Sequence, residues 1–197
     1  MSKTIEIYAD PSCPFAHVGL SRLVAGRAPD IHFRVRAWPL ELVNGEALDP
    51  ATVARKVKAL REQVAPDLFE GFSEAALGTS MIPAMALENA AYELSPEVGE
   101  RVSIALRERV FEDGEPLDEH YLNELAGRFA VTRPPVGEAH KVVQASWDEG
   151  KTRGVIGSPH FFTDRGDYFC PSLQIHHEGD ELVIKADVEK FEKFVLN

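Results

Sequence analysis

The sequence predicts a mixed α/β fold in which a βαβ unit at the start and a ββα unit at the end are separated by an all-helical block. Three observations predict it. Ile5, Ile7 and Ala9 alternate with Glu6 and Tyr8, and Ile31 to Trp38 alternates again, with an apolar helix-compatible run between them. From Asp49 to about Gly154 the apolar spacing becomes helical. From Gly157 onward short strands and turns return, and an amphipathic segment closes the chain.

The first strand runs into a turn cluster, Asp10-Pro11-Ser12, followed by Cys13-Pro14 and the run Phe15, Val18, Leu20, Leu23, Val24. A proline at the first helical position marks a helix start, which puts Cys13 at or next to the N-cap. Unpaired N–H groups and the positive end of the helix dipole stabilise a thiolate there, and thiols so placed have pKa values lowered to roughly 3.5–7.5. Cys13 is therefore expected to be reactive. The plainer alternative is a small hydrophobe in a buried loop, which the polar Pro-Ser-Cys-Pro setting fits less well. After a break at Arg27 to Asp30, Ile31, Phe33, Val35 and Ala37 form the inner face of a second strand, giving a parallel, right-handed βαβ unit.

The helical block is punctuated by caps. Asp49-Pro50 opens a helix with Val53, Val57, Leu60 and Val64 on one face. Ile82 to Leu94 reads as a buried helix. Ser95-Pro96 opens the next, striped by Val98, Val102, Ala105, Leu106 and Val110. Asp118 caps a fourth, with Leu117 and Leu122 as a hydrophobic staple. Arg133-Pro134-Pro135 ends it, and Glu138 to Arg153 forms the last. These stripes are core faces and carry no chemistry. Beyond them, Gly157-Ser158-Pro159 precedes a strand at His160 to Thr163, which returns at Tyr168 to Cys170. A second hairpin is expected around Glu178-Gly179-Asp180, and a closing helix over Asp187 to Leu196.

Composition narrows the function. The 197 residues suffice for one core with a helical insertion. A net charge of −11 gives no electrostatic footprint for nucleic acid or an anionic membrane. No apolar run approaches the ~20 residues of a membrane span. The N-terminus enters the first strand almost at once, which reads as no signal peptide. With two cysteines only, the expected location is the reducing cytoplasm, where a thiol is more often catalytic or inert than part of a structural bridge.

Asp10 to Gly19 (DPSCPFAHVG), Trp38-Pro39-Leu40, Val110 to Ala126 and Gly154 to Phe162 (GVIGSPHFF), in this order and spacing, resemble the DsbA family of the thioredoxin fold. The resemblance is to its FrnE-type branch, akin to kappa-class glutathione transferases and 2-hydroxychromene-2-carboxylate isomerases, and spans nearly the whole chain. It implies a thioredoxin-like core from residues 1–45 and 150–197 and a helical insertion over 46–149. It also implies that Pro159 is a cis-proline facing Cys13, with the Ser158 backbone open to a substrate. One departure matters: the second redox cysteine is replaced by Ala16. The relatives with transferase activity instead carry serine where this chain has Cys13.

Three classes of activity follow. Cys13 attacks a disulfide and is released from the mixed disulfide by an external thiol. Alternatively, the site directs glutathione or an equivalent low-molecular-weight thiol at an electrophile or an isomerisable double bond. The third class is a binding module without turnover. Pro14, Phe15, Ser158, Pro159, His160 and Cys170 are the expected lining, with His17 a candidate for proton transfer, although packing beneath the turn is the favoured reading for it. No tightly bound cofactor is expected. The expected partners are a small thiol or a protein disulfide, and a homodimer is left open. His176-His177 suggests a metal only weakly, since neighbours on a strand face opposite ways. With Arg165-Gly166 as the loop, Phe161 would oppose Cys170, two strands out from the strand leading to Cys13. That separation of nearly 10 Å is too wide for a disulfide, so no Cys13–Cys170 bridge is expected.

Overall fold

The computed structural model describes residues 3–179 and 181–196. Its main sheet contains β1 (Lys3–Ala9), β2 (Ile31–Ala37), β3 (His160–Thr163) and β4 (Gly166–Phe169) in the order β2-β1-β3-β4. β1 and β2 run parallel, joined by α1 (Pro14–Gly26), and β3 and β4 are antiparallel additions. This is the βαβ and ββα arrangement expected of a thioredoxin-like core, and the helical block lies between its halves. The alternation read in β1 is its burial: Ile5 and Ile7 are fully buried on one face, and Tyr8 on the other.

The block comprises α2 (Leu40–Asn44), α3 (Pro50–Gln63), α4 (Ile82–Leu94), α5 (Pro96–Phe111), α6 (Glu119–Arg128) and α7 (Val136–Thr152). Its caps are those the sequence offered. The side chains of Asp49, Ser95 and Asp118 accept from Thr52, Val98 and Tyr121 N–H. The short α2 had no periodicity to announce it, and α7 starts two residues before the expected Glu138, directly after Pro135. The core of the block is continuous with Val18 on α1 and with Leu173 and Ile184 on the second hairpin. That hairpin pairs β5 (Leu173–Glu178) with β6 (Glu181–Ala186) around the expected turn, of which Asp180 lies outside the described residues. The closing helix, α8 (Val188–Phe191), is capped by Asp187 and continues as a π-helical stretch, Glu192–Leu196. Among the described residues no helix is long and apolar enough to cross a membrane.

Polar contacts hold the block to the sheet and its helices to one another. β2 is an edge strand, and Glu100 of α5 accepts its Phe33 N–H at 2.9 Å while holding Arg27 at 2.7 Å. Between α4 and α5, Arg107 and Glu88 form an ion pair at 2.6 Å with each side chain 1% exposed. Arg107 also donates to the Ser103 carbonyl and hydroxyl. A buried pair stabilises little relative to apolar isosteres, but losing one partner strands the other charge. Glu88→Ala is therefore expected to lower the unfolding free energy by about 3–5 kcal/mol in urea denaturation, and Glu88→Ala with Arg107→Met to recover most of it.

Candidate active site

Cys13 is the N-cap of α1, with Pro14 at the first helical position. Its N–H closes the turn onto the Asp10 carbonyl at 3.1 Å, and its own carbonyl accepts from Ala16 and His17 N–H. Its thiol donates to the Ser158 carbonyl at 3.1 Å. The Ser158–Pro159 peptide is cis. Gly19, one turn and a half along α1, has space for no more than light contact with Phe161 and Pro159: a Cβ there would sit 3.4 Å from the Phe161 ring and 3.7 Å from Pro159. α1 thus lies on the Phe161 face of the sheet and brings Cys13 against the loop before β3.

The charge state of Cys13 differs from the expectation. Burial pushes the thiol up from its ordinary value instead of down, with the carboxylate of Asp10 adding to the rise. Cys13 is 4% exposed. A carbonyl oxygen can only accept, so the contact with Ser158 also belongs to the S–H form. Desolvation outweighs the helix terminus because the sulfur is enclosed by Ala16, the α1 core and the Ser158 backbone. Ser158 is itself buried, its carbonyl taken by Cys13 and its hydroxyl by Asp10 N–H at 3.0 Å, so its backbone is not the open edge expected.

Asp10 was legible only as part of a turn, yet its carboxylate organises the site. It accepts from Ser12 N–H (2.8 Å), Ser12 Oγ (2.6 Å) and Leu40 N–H (2.8 Å), and burial raises its pKa. The Asp-x-Ser spacing was the available signal, being that of an Asx turn. The link to Leu40 had none.

The remaining candidates separate by position. Pro14 is buried, and Phe15 is half-buried beneath the Lys56 ammonium, 5.9 Å from the ring centre. Ala16 is fully buried one turn beyond Cys13. His17 packs under the turn, stacked on Phe111, edge-on to Phe69 and bonded to Glu112 at 2.5 Å. Glu112 is 95 residues away in sequence, which is why nothing local pointed to it. His160 does not face Cys13. Its ring lies with Tyr8 and Phe162 on the opposite face from Phe161, accepts from Ile156 N–H and meets Asp167 at 3.0 Å. His176 and His177 lie on the exposed second hairpin, His176 beside Glu178.

Cys170 needs a correction of register. Thr163 pairs with Gly166 and His160 with Phe169, so the loop is Asp164-Arg165 and Cys170 falls opposite Pro159, not Phe161. The shift is two residues, so Cys170 keeps the Phe161 face but moves two residue pairs nearer the thiol end. Its N–H donates to the Pro159 carbonyl at 2.9 Å, and its φ of 44° turns the chain out of the sheet. Both cysteines are free thiols, and burial pushes Cys170 up to about 12.

Two pH dependences follow. Alkylation of Cys13 by iodoacetamide is expected to keep rising about tenfold per pH unit to beyond 9.0, its ordinary value, instead of levelling near neutrality. The folded chain holds the Cys170 proton more tightly than the unfolded chain does. Its contribution to stability is complete below 9.0 and is lost as pH rises toward about 12. Over that interval, urea denaturation should show a steeper alkaline loss for the wild type than for Cys170→Ala.

No protein-family model matches the sequence, and no curated protein matches it. Solved structures do. A chain provisionally assigned as a protein disulfide isomerase from Nitrosomonas europaea superposes with a TM-score of 0.66 at 14% identity, over 98% of this chain and 95% of that one. The cytosolic disulfide reductase DsbM from Pseudomonas aeruginosa gives 0.55 at 15%, over 95% and 91%. A 2-hydroxychromene-2-carboxylate isomerase gives 0.59 at 13%, over 84% and 88%. With Cys13 capping α1, a cis-proline loop against it and helices between the two halves of the sheet, the chain has the DsbA-like form of the thioredoxin fold.

Proposed function

We propose that this protein is a thiol-disulfide oxidoreductase that works through Cys13 alone. The observation that carries the reading is the thiol at the start of α1, held on the carbonyl of Ser158 next to Pro159, with alanine at position 16. The Cys13 sulfur gives up its proton and attacks one sulfur of a disulfide. A Cys13–S–S–R bond forms, the original S–S bond breaks, and the departing thiolate takes up a proton. No thiol stands at position 16 to resolve the mixed disulfide, so the thiolate of an external thiol, glutathione or an equivalent, attacks its R-side sulfur: a disulfide between R and the external thiol forms, the bond to Cys13 breaks, and the Cys13 sulfur takes up a proton. Burial makes ionisation of Cys13 the demanding step, and the incoming sulfur must displace the Ser158 contact. The substrate is a small thiol's disulfide or a protein disulfide, and a reducing cytoplasm is the compartment that supplies the second thiol. The DsbM neighbour is described as a cytosolic reductase and has also been solved with glutathione.

The protonated state of Cys13 favours a second reading. A neutral S–H in this position donates a hydrogen bond, and a bound low-molecular-weight thiolate would accept it in place of the Ser158 carbonyl. Cys13 would then orient that thiolate toward an electrophile or an isomerisable double bond and form no bond itself.

One pair of variants separates the readings. Under exchange, Cys13→Ser drops glutathione-dependent reduction of a glutathionylated peptide to the background rate, and Cys170→Ser does not. Mass spectrometry should trap a glutathione adduct on Cys13. If Cys13→Ser retains glutathione-dependent activity on an electrophile, the exchange reading fails and the thiol-directing one stands, because a serine hydroxyl can donate the same hydrogen bond.

A further inference from the structure

We propose that His160 is a positioning residue for the thiol chemistry of Cys13: its imidazole ties the base of the loop from Ile156 to His160 and so keeps the Ser158 carbonyl on the Cys13 sulfur. This role rests on the exchange reading given above, in which an incoming sulfur must displace that contact.

The loop is held at its ends and at its centre. Before it, Val155 N–H donates to the Gly150 carbonyl of α7 at 2.9 Å. At its centre, Ser158 accepts the Asp10 N–H on its hydroxyl at 3.0 Å and the Cys13 thiol on its carbonyl at 3.1 Å. Beyond Ser158, the Pro159 carbonyl accepts from Cys170 N–H at 2.9 Å. The imidazole closes the base: Ile156 N–H donates to His160 Nδ1 at 3.3 Å, four residues on, with Ser158 midway between them. Each residue has only two soft backbone dihedrals, so tying both ends of so short a segment leaves its middle few ways to move. Ile156 is 73% exposed, so its own side chain does little to hold the loop.

The geometry also assigns the ring proton. His160 is 2% exposed, so its nitrogens need partners within the protein, and both are used. An N–H can only donate, so Nδ1 is bare and accepts from Ile156. The proton is then on Nε2, which donates to the Asp167 carboxylate of β4 at 3.0 Å. Stacking on Phe162, with ring centres 5.0 Å apart, fixes the plane of the imidazole. Gly157 lets the loop come down onto β4, since a Cβ there would sit 2.6 Å from the Phe169 ring. Phe169 in turn meets His160 edge-on at 6.4 Å. His160 thus joins the loop to β4 from the face of the sheet opposite Cys13.

Two substitutions in the full chain divide the two bonds of the imidazole. The side-chain oxygen of asparagine stands where Nδ1 does, so His160→Asn keeps an acceptor for Ile156 N–H and loses Asp167. The glutamine amide reaches as far as Nε2, so His160→Gln keeps Asp167 and loses the acceptor for Ile156. Both lose the stacking on Phe162, so lost packing affects them alike. The measurements are alkylation of Cys13 by iodoacetamide at one fixed pH, and reaction with glutathione disulfide, which bonds one glutathione to Cys13 and releases the other. His160→Gln is expected to speed both about three- to tenfold, the worth of one hydrogen bond, and His160→Asn to stay within about twofold of the wild type. Equal alkylation rates in the two variants overturn the proposal. Nitrogen NMR of the histidine-labelled wild type should show a neutral ring with its proton on Nε2; a proton on Nδ1 overturns the proposal without any variant. If glutathione disulfide modifies Cys13 in no form while the alkylation rates differ as expected, the exchange reading fails and the positioning of Ser158 by His160 stands.

Discussion

The carboxylate of Asp10 is the constraint on which the arrangement of the candidate site depends. A buried carboxylate is tolerated only when its lone pairs are used, and this one accepts three hydrogen bonds, two from Ser12 and one from Leu40. The Asp10 N–H is bound by the Ser158 hydroxyl and its carbonyl by Cys13 N–H. One residue therefore ties together the turn that carries Cys13, the connection after β2 and the loop before β3. These three segments come from distant parts of the sequence, and none has regular backbone pairing of its own at this point.

Charge follows from that closure. Packing the turn tightly enough to satisfy Asp10 also excludes water from Cys13, and two buried acids within one turn disfavour ionising together. The helix N-terminus pulls the other way, but its partial charge cannot replace the hydration that the sulfur has lost. In this structure the thiol is a donor to the Ser158 carbonyl.

The helical block is not a separate attachment. Glu100 accepts one N–H of the β2 edge, and Glu112 accepts from Phe69 and Glu70 N–H while holding His17 on the helix that starts at Cys13. Tyr8 and Trp38 meet α7 where Gly150 leaves room: a Cβ there would come within 2.9 Å of both rings. Carboxylates at helix ends and one glycine thus set how the block sits on the sheet, and through His17 the block supports the turn around the thiol.

Local chemistry in the sequence determined the strands, the caps and the position of Cys13 at a helix start. Those features depend on neighbours: alternation in Ile5 to Ala9, Asp49-Pro50, Ser95-Pro96, Asp118, and the proline after Cys13. The resemblance carried by DPSCPFAHVG and GVIGSPHFF extended this to the pairing of Cys13 with the loop at Pro159. Tertiary structure alone decided the rest. The register of β3 with β4 turned on which two residues form the loop, a choice that Asp164, Arg165 and Gly166 left open locally, and it moved Cys170 from Phe161 to Pro159. The face taken by His160, the Glu112 partner of His17, and the burial that reverses the expected acidity of Cys13 depend on residues far along the chain. Desolvation is a property of everything packed around an atom, and no local pattern of residues records it.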